Sequence, residues 1–278
     1  MQQKNNNKYR VIAHRGSSFD VTDGQGVLTV GARGNLKGGG ILVGDFVVIE
    51  GDVIVRVCAR ANSLIRPSVA NIDQAIIVIA TLPPPDFFLV DKMIINCRHI
   101  GIDAVLCINK VDLGAEELYN SVRRQYRHDV RSIVRASAKD GRTASLKRAA
   151  KGRLSAFCGQ SAVGKSSLVN AMCRNEDRSV GELSGNNRGR NTTTRSGLIE
   201  IGADTYIIDT PGFGSLDIFG VNGRELQLYY GDFLRFADGC KFRACTHTHE
   251  PGCAVKAAVE RGRVDAGRYE RYLGIRNK

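Results

Sequence analysis

The sequence RLSAFCGQSAVGKSSLVNAMC, residues 153–173, passes from a short apolar β-type run through a glycine-bounded loop into a helix-forming segment. Within it Gly159, Gln160, Ser161, Ala162, Val163, Gly164, Lys165 and Ser166 fit the pattern G-x-x-x-x-G-K-[ST], in the strand-to-helix context that a phosphate-binding loop requires. The glycines allow the backbone to approach a ligand, and the loop amides and helix N-terminus face its phosphates. Lys165 supplies a point charge, and the Ser166 hydroxyl can ligate magnesium. Ser167 extends the same candidate phosphate-contacting stretch.

Around this loop the chain alternates strand and helix. AIIVIATL (75–82) reads as a buried strand, followed by a helix around 88–99 and the strand AVLCINK (104–110). A helix near 115–126, a strand near 130–136 and a helix from about 144 come next. After the loop, LIEIG and TYIIDT add two strands. This alternation implies a parallel sheet covered by helices. Before it, residues 8–66 alternate apolar runs with glycine-rich turns (YRVIA, GVLTVGA, ILVGDFVVIEGD, VIVRVCARA), the pattern of a small antiparallel β-barrel. RPSVANIDQ breaks that pattern and marks a domain border. Three domains are expected, at 1–66, 67–218 and 219–278.

Three further motifs share one chemistry. Asp209-Thr-Pro-Gly212 follows an apolar strand, where a carboxylate would reach the magnesium shell and the Gly212 amide would sense a γ-phosphate. Asn109-Lys110-Val-Asp112 ends another strand. Its Asp112 could accept two hydrogen bonds from the donor edge of guanine, which adenine lacks, while Lys110 packs along the base and Asn109 braces the loop. Ser137-Ala138-Lys139, after a third strand, offers backbone amides to the guanine carbonyl oxygen. A conventional GTPase presents the phosphate loop, a switch threonine, D-x-x-G, N-K-x-D and S-A-K in that order. Here N-K-x-D and S-A-K come first, so the nucleotide domain is circularly permuted. The D-T-P-G run then leads directly into the C-terminal segment, which is expected to receive the nucleotide-state signal.

Cys240, Cys245, His247 and Cys253 put three thiolates and an imidazole in a short span, enough for one closed tetrahedral zinc site with a structural role. His249 is a less favoured substitute ligand. The other five cysteines, Cys58, Cys97, Cys107, Cys158 and Cys173, lie singly in apolar surroundings and are expected in the core. With 278 residues, 42% of them hydrophobic and 24% charged, the chain has the composition of a soluble globular protein. No apolar stretch reaches the roughly 20 residues of a membrane span and the N-terminus lacks a secretory signal, so a cytoplasmic location without membrane contact is expected. The net charge of +12 favours a polyanionic partner such as RNA.

Taken together, VGDFVVIEGD, RPSVANIDQ, INKVDL, SAKDG, GQSAVGKSSLVNA, NTTTRSG, DTPGFG and the C-terminal cysteine cluster closely resemble the ribosome small-subunit-dependent GTPase A family, also called RsgA or YjeQ. The resemblance covers nearly the whole chain. It implies an N-terminal OB-fold that binds RNA, a circularly permuted α/β P-loop GTPase domain and a C-terminal helical zinc-binding domain. It also implies a GTP hydrolase, with magnesium bound alongside GTP or GDP, that acts late in small-subunit maturation, binds that subunit's rRNA and is stimulated by it. A monomeric chain is expected. The family often carries a histidine before the switch threonines, and here that position is Asn191, which cannot act as a general base near neutral pH. After D-T-P-G, where Ras-like proteins place a water-orienting glutamine, stands Phe213. Slow intrinsic turnover follows as an expectation. Of Thr192, Thr193 and Thr194, Thr193 is favoured as the magnesium-sensing residue. The alternative function is a GTP-responsive rRNA-binding module with negligible hydrolysis.

Overall fold

The computed structural model describes residues 8–36, 40–64, 69–173, 197–209 and 220–277, with the backbone alone at Asn35 and Asp209. Its first unit is a closed barrel of β1 (Lys8–Arg15), β2 (Ser18–Thr22), β3 (Val27–Ala32), β4 (Phe46–Glu50) and β5 (Val53–Val57), in the order β1-β2-β3-β5-β4. The β3–β5 pairing is parallel and β1–β4 closes the barrel antiparallel, the five-stranded arrangement of an OB-fold. Alternate side chains, among them Val11, Phe19, Val21, Val47, Ile49 and Ile54, point inward and form a core of their own. The sequence pattern anticipates every strand here except β2. SFDVT carries a buried Asp20, which is accommodated because Arg15 and Thr29 both donate to its carboxylate.

A two-stranded link, β6 (Ser63–Leu64) with β7 (Val69–Ala70), leads out of the barrel. The border expected between residues 66 and 67 lies outside the described residues. On either side of it, Asn62 pairs through its carboxamide with both backbone groups of Ile72. Asn71 accepts from Ala61 N and donates to Gly44 O.

The central unit then runs β8 (Gln74–Ala80), α1 (Phe87–His99), β9 (Asp103–Asn109), α2 (Glu116–Tyr126), β10 (Ser132–Arg135), α3 (Ala144–Ala150), β11 (Leu154–Cys158), α4 (Lys165–Cys173), β12 (Ile199–Gly202) and β13 (Thr205–Asp209). The six strands lie in the order β10-β9-β8-β11-β13-β12, parallel except for β12. All seven residues of β8 are buried, as expected of a strand covered on both faces. Ile77 and Ile79 pack with α1 and α2, while Ile76, Val78 and Ala80 pack with α3 and α4. Because β9 and β10 lie on one side of β8 and β11 on the other, the order reverses between β8 and β11. Ligands of open α/β sheets bind in the crevice at the carboxyl ends of strands at such a point.

The C-terminal unit is helical: α5 (Gly231–Ala237), α6 (Ala254–Glu260) and α7 (Ala266–Arg276). Among the described residues no helix is long and apolar enough to cross a membrane. Of the five isolated cysteines, Cys97, Cys107 and Cys158 are buried. Cys58, just past β5, and Cys173, the last residue of α4, are only partly so, because each sits where its element ends.

The helical unit is joined to the sheet through buried charge. Arg268 of α7 is 1% exposed, its guanidinium lying over the rings of Tyr126 and Tyr230, at 4.8 and 4.9 Å from their centroids. It meets Asp129 at 2.5 Å, Asp232 at 3.4 Å and Asp91 at 3.7 Å. Arg271 adds a bond to Asp91, and Arg98 one to Asp129. Burial alone would lower the Arg268 pKa; the bond from Asp129 and the surrounding carboxylates outweigh it and hold the guanidinium above its ordinary value. Removing the central cation would leave three carboxylates buried without their common partner. Arg268→Ala is therefore expected to cost about 3–5 kcal/mol in urea unfolding, whereas replacement of the exposed Arg33, paired with the exposed Glu50, should cost under about 1 kcal/mol.

Candidate active site

The phosphate loop springs from β11, between its neighbours β8 and β13. Gly159 has φ +133°, and a Cβ there would lie 2.2 Å from the Val78 carbonyl oxygen. Gly164 has φ +90°, and its Cβ would lie 2.5 Å from the Asn109 side chain. Only glycine fits either place, so the two glycines of the motif are demanded by contacts within the protein before any ligand is considered. Ala162, at φ +62°, adopts the same left-handed region without glycine.

Asn109, at the end of β9, braces the loops on both sides of it. Its carboxamide donates to Val163 O at 2.8 Å and accepts from Ala138 N at 3.3 Å. Lys110, at φ +59°, donates from Nζ to Ala162 O at 2.9 Å and to Leu82 O at 2.7 Å. The Ser137 hydroxyl donates to Asp112 Oδ1 at 2.7 Å. That bond, with a smaller contribution from Lys139, holds the Asp112 carboxyl below its ordinary value, so it stands ready as an ionised acceptor. The structure thus fastens Asn109 and Lys110 to the phosphate loop, with Ala138 held by Asn109 and Asp112 by Ser137. Between them opens a cleft of about 460 Å³, into which Lys139, Ser167 and Asn170 also face.

Lys165 and Ser166 begin α4. Lys165 Nζ donates to the carbonyls of Gly159 and Gln160, at 2.9 and 2.8 Å, and thereby lies across the loop's mouth. The Ser161 and Ser166 side chains are exposed there. Gln160 is expected from sequence to bind nucleotide as part of the phosphate loop. Its carboxamide reaches out of the loop, accepting from Asp86 N at 2.8 Å and donating to Pro84 O at 2.9 Å. Asp209 ends β13 level with Phe157 of β11, which puts its backbone beside the start of the loop. The remaining switch candidates, Asn191, Thr192, Thr193, Thr194, Gly212 and Phe213, lie outside the described residues. A magnesium ion accompanying nucleotide phosphates fits this arrangement: Ser166 opens the helix and Asp209 closes the adjacent strand, both at the sheet's carboxyl edge.

The second candidate site shares no residue with this cleft. Cys240, Cys245, His247 and Cys253 present one sulfur or nitrogen each, all within 4.8 Å of one another. Cys240 Sγ is 3.9 Å from Cys253 Sγ and 3.6 Å from His247 Nδ1, which is 3.4 Å from Cys253 Sγ. Zinc–sulfur bonds of about 2.3 Å in a tetrahedron require edges of about 3.8 Å, a spacing that the separations among Cys240, His247 and Cys253 approach, with Cys245 close enough to supply the fourth donor. Outside them, Lys256 N donates to Cys253 Sγ, and Glu250 accepts from the backbone of Thr246 and Thr248. Tyr269 and Tyr272 of α7 clamp the carbonyls of His247 and Thr246. His249 is exposed and bonds to Thr248, apart from the group.

Sequence reasoning missed the side chains that join these parts, Asn62, Asn71, Arg268 and Asp91 above all. Arg268 and Asp91 act through partners far along the chain, Asn62 and Asn71 through partners ten or more positions away, and no periodic pattern betrays them.

The model of the RsgA GTPase family matches residues 57–219. The small ribosomal subunit biogenesis GTPase RsgA of Ruminiclostridium cellulolyticum is 38% identical over 239 residues, covering 83% of this chain and 77% of that protein. Its namesake from Caldanaerobacter subterraneus is 37% identical, over 96% of this chain and 93% of its own. Among solved structures, YjeQ from Thermotoga maritima superposes with a TM-score of 0.80 at 33% identity, covering 98% and 97% of the two chains. YloQ, described as a circularly permuted GTPase, also gives 0.80, at 29% identity over 100% and 96%. With a barrel, a permuted nucleotide sheet and a cysteine-histidine cluster arranged as described, the chain belongs to the RsgA GTPase family of GTP-hydrolysing enzymes.

Proposed function

We propose that this chain hydrolyses GTP to GDP and phosphate in the cleft between Asp112 and Lys165, during late maturation of the small ribosomal subunit, and that the subunit stimulates the reaction. The observation that carries the reading is the mutual bracing of the base loop and the phosphate loop. Asn109 and Lys110 are hydrogen-bonded to Val163 and Ala162, so a base held by Asp112 would be set in fixed register with phosphates held by Gly159–Ser166. Relatives that span nearly the same length carry names placing them in small-subunit biogenesis. The charge of +12 suits a partner made of RNA, with the barrel and the helical unit as its contact surfaces.

In this reading the chemistry is positioning and charge stabilisation. Lys165 leaves the loop carbonyls for the β- and γ-phosphates. Ser166 and Asp209 would hold magnesium, which would supply neutralisation of the charge that develops on the phosphates. Thr193 and Gly212 sense the γ-phosphate. Because Asn191 cannot accept a proton at neutral pH and Phe213 cannot orient a water, the free enzyme turns over slowly and the subunit completes the site. The Cys240, Cys245, His247 and Cys253 group holds one zinc ion, which has four protein ligands and therefore folds the unit without taking part in hydrolysis.

Three outcomes are expected. GTP turnover, assayed against ATP, should be of order 10⁻² s⁻¹ or slower alone and rise at least about tenfold with purified small subunits, for GTP only. GTP binding without turnover in either condition would favour a nucleotide-responsive RNA-binding module. Asp112→Asn should weaken GDP about a hundredfold and improve xanthosine diphosphate, by titration calorimetry; an unchanged preference would remove Asp112 from base recognition. Elemental analysis of protein purified without chelators should find one zinc per chain, and Cys245→Ser should lower the metal content and loosen α5–α7, seen as faster amide exchange there.

A further inference from the structure

The segment TLPPPD, residues 81–86, connects β8 to α1 and contains three consecutive prolines, which have no N–H to donate. The first N–H after them belongs to Asp86, and Gln160 of the phosphate loop takes it while donating to the Pro84 carbonyl, as a neighbouring strand would. Lys110 of the base loop holds the other end of the segment at Leu82 O. The segment is thus suspended from both loops of the candidate nucleotide cleft.

Its far side is α1. The Asp86 carboxylate caps that helix by accepting from Leu89 N at 3.0 Å, and the Asp86 carbonyl takes Val90 N. Asp91, next along the first turns, is bonded to Arg271 and faces Arg268, both on α7 of the helical unit. On its near side, the Gln160 carbonyl receives Lys165 Nζ at 2.8 Å. A phosphate chain that draws this ammonium removes a charge-assisted bond from the very residue whose side chain holds Asp86.

We propose that Gln160 is a positioning residue that couples occupancy of the phosphate loop to α1 and, through Asp91 and Arg271, to the cysteine-histidine unit. The inference rests on Gly159–Ser166 holding phosphate. A carboxamide that only satisfied two backbone groups would make the same contacts in a static loop, without linkage between the sites. Coupling is reciprocal, so a change at the Arg271 end must alter nucleotide affinity, and must do so through residue 160.

The test is a double-mutant cycle on the full chain, with GDP affinity measured for the unsubstituted protein, Gln160→Ala, Arg271→Ala and the double variant. Arg271→Ala should shift the GDP Kd about fivefold when Gln160 is present and less than about twofold when it is replaced. Equal shifts in both backgrounds, or none in either, overturn the proposal. Should Gln160→Ala fail to bind GDP, Gln160→Asn, too short to span both partners, takes its place in the cycle. Amide exchange at Leu89 and Val90 gives a second readout. Saturating GDP should change it in the unsubstituted chain and leave it unchanged in the Gln160 variant; a change that persists in the variant overturns the proposal. If the unsubstituted chain binds no GDP, the phosphate-loop reading falls and this inference falls with it.

Discussion

The pairing of β8 with β11 is the contact on which the rest of the molecule depends. Ser155 to Cys158 run parallel to Gln74 to Ile77, so two strands some 80 positions apart in the chain lie side by side. The pairing is close enough at its carboxyl end that the loop leaving β11 has room for no side chain at Gly159. Among the described residues, those given a nucleotide contact in the proposed mechanism lie at that end. The base loop arrives from β9 on one side, the phosphate loop from β11 on the other, and Asn109 and Lys110 stitch them together. Because the stitch is made by side chains and not by chain connectivity, the order in which the strands occur along the sequence does not matter to it. Permuting the chain leaves the cleft intact for this reason.

The joints between units add buried polar contacts to the apolar packing that fills their interiors. The barrel and both faces of the sheet are filled with aliphatic side chains in alternating register, and Ile12 and Val43 of the barrel side pack into the sheet's core. The helical unit adds to the apolar packing of Ile95 and Phe88 a cluster of three aspartates and three arginines. Such a cluster contributes little net stability over an apolar interface of equal volume, because desolvation consumes most of the Coulombic gain. What it does supply is orientation: a guanidinium held between two rings and three carboxylates has few acceptable positions. Burial raises the Asp91 pKa, and Arg268 and Arg271 offset this only in part.

Legibility in the sequence followed the same division. The parallel sheet was readable because β8, β9 and β11 are continuous apolar runs bounded by turns, and the phosphate loop was readable because its glycines answer to strict local geometry. β2 was not, since SFDVT hides its burial behind Asp20, whose partners Arg15 and Thr29 only become partners once the barrel closes. Gln160 was named as part of a motif, yet its contact with residues 84 and 86 spans 74 and 76 positions and has no periodic signature. Arg268 sits in a helix that reads as polar and ordinary, while its burial is fixed by Asp129 and Asp232 from two other elements. Periodic burial can be read from one segment; a polar group buried by partners from several segments cannot.

The permutation has one further physical consequence. In a conventional GTPase the strand equivalent to β13 must continue through a helix into the strand equivalent to β8, because the base-recognition half of the sheet is still to come. Here that half has already been built when the chain reaches Asp209, and the next described residues, from Gly220, lie in the helical unit, with Val221 packed in its core. The helical unit is therefore tied to the phosphate edge twice, covalently through residues 210–219 and non-covalently through α1 and the 81–86 segment. Two attachments at one edge restrict a body more than either alone. Under the coupling proposed for Gln160, a displacement at the phosphate edge reaches the cysteine-histidine unit through the Asp91–Arg271 contact.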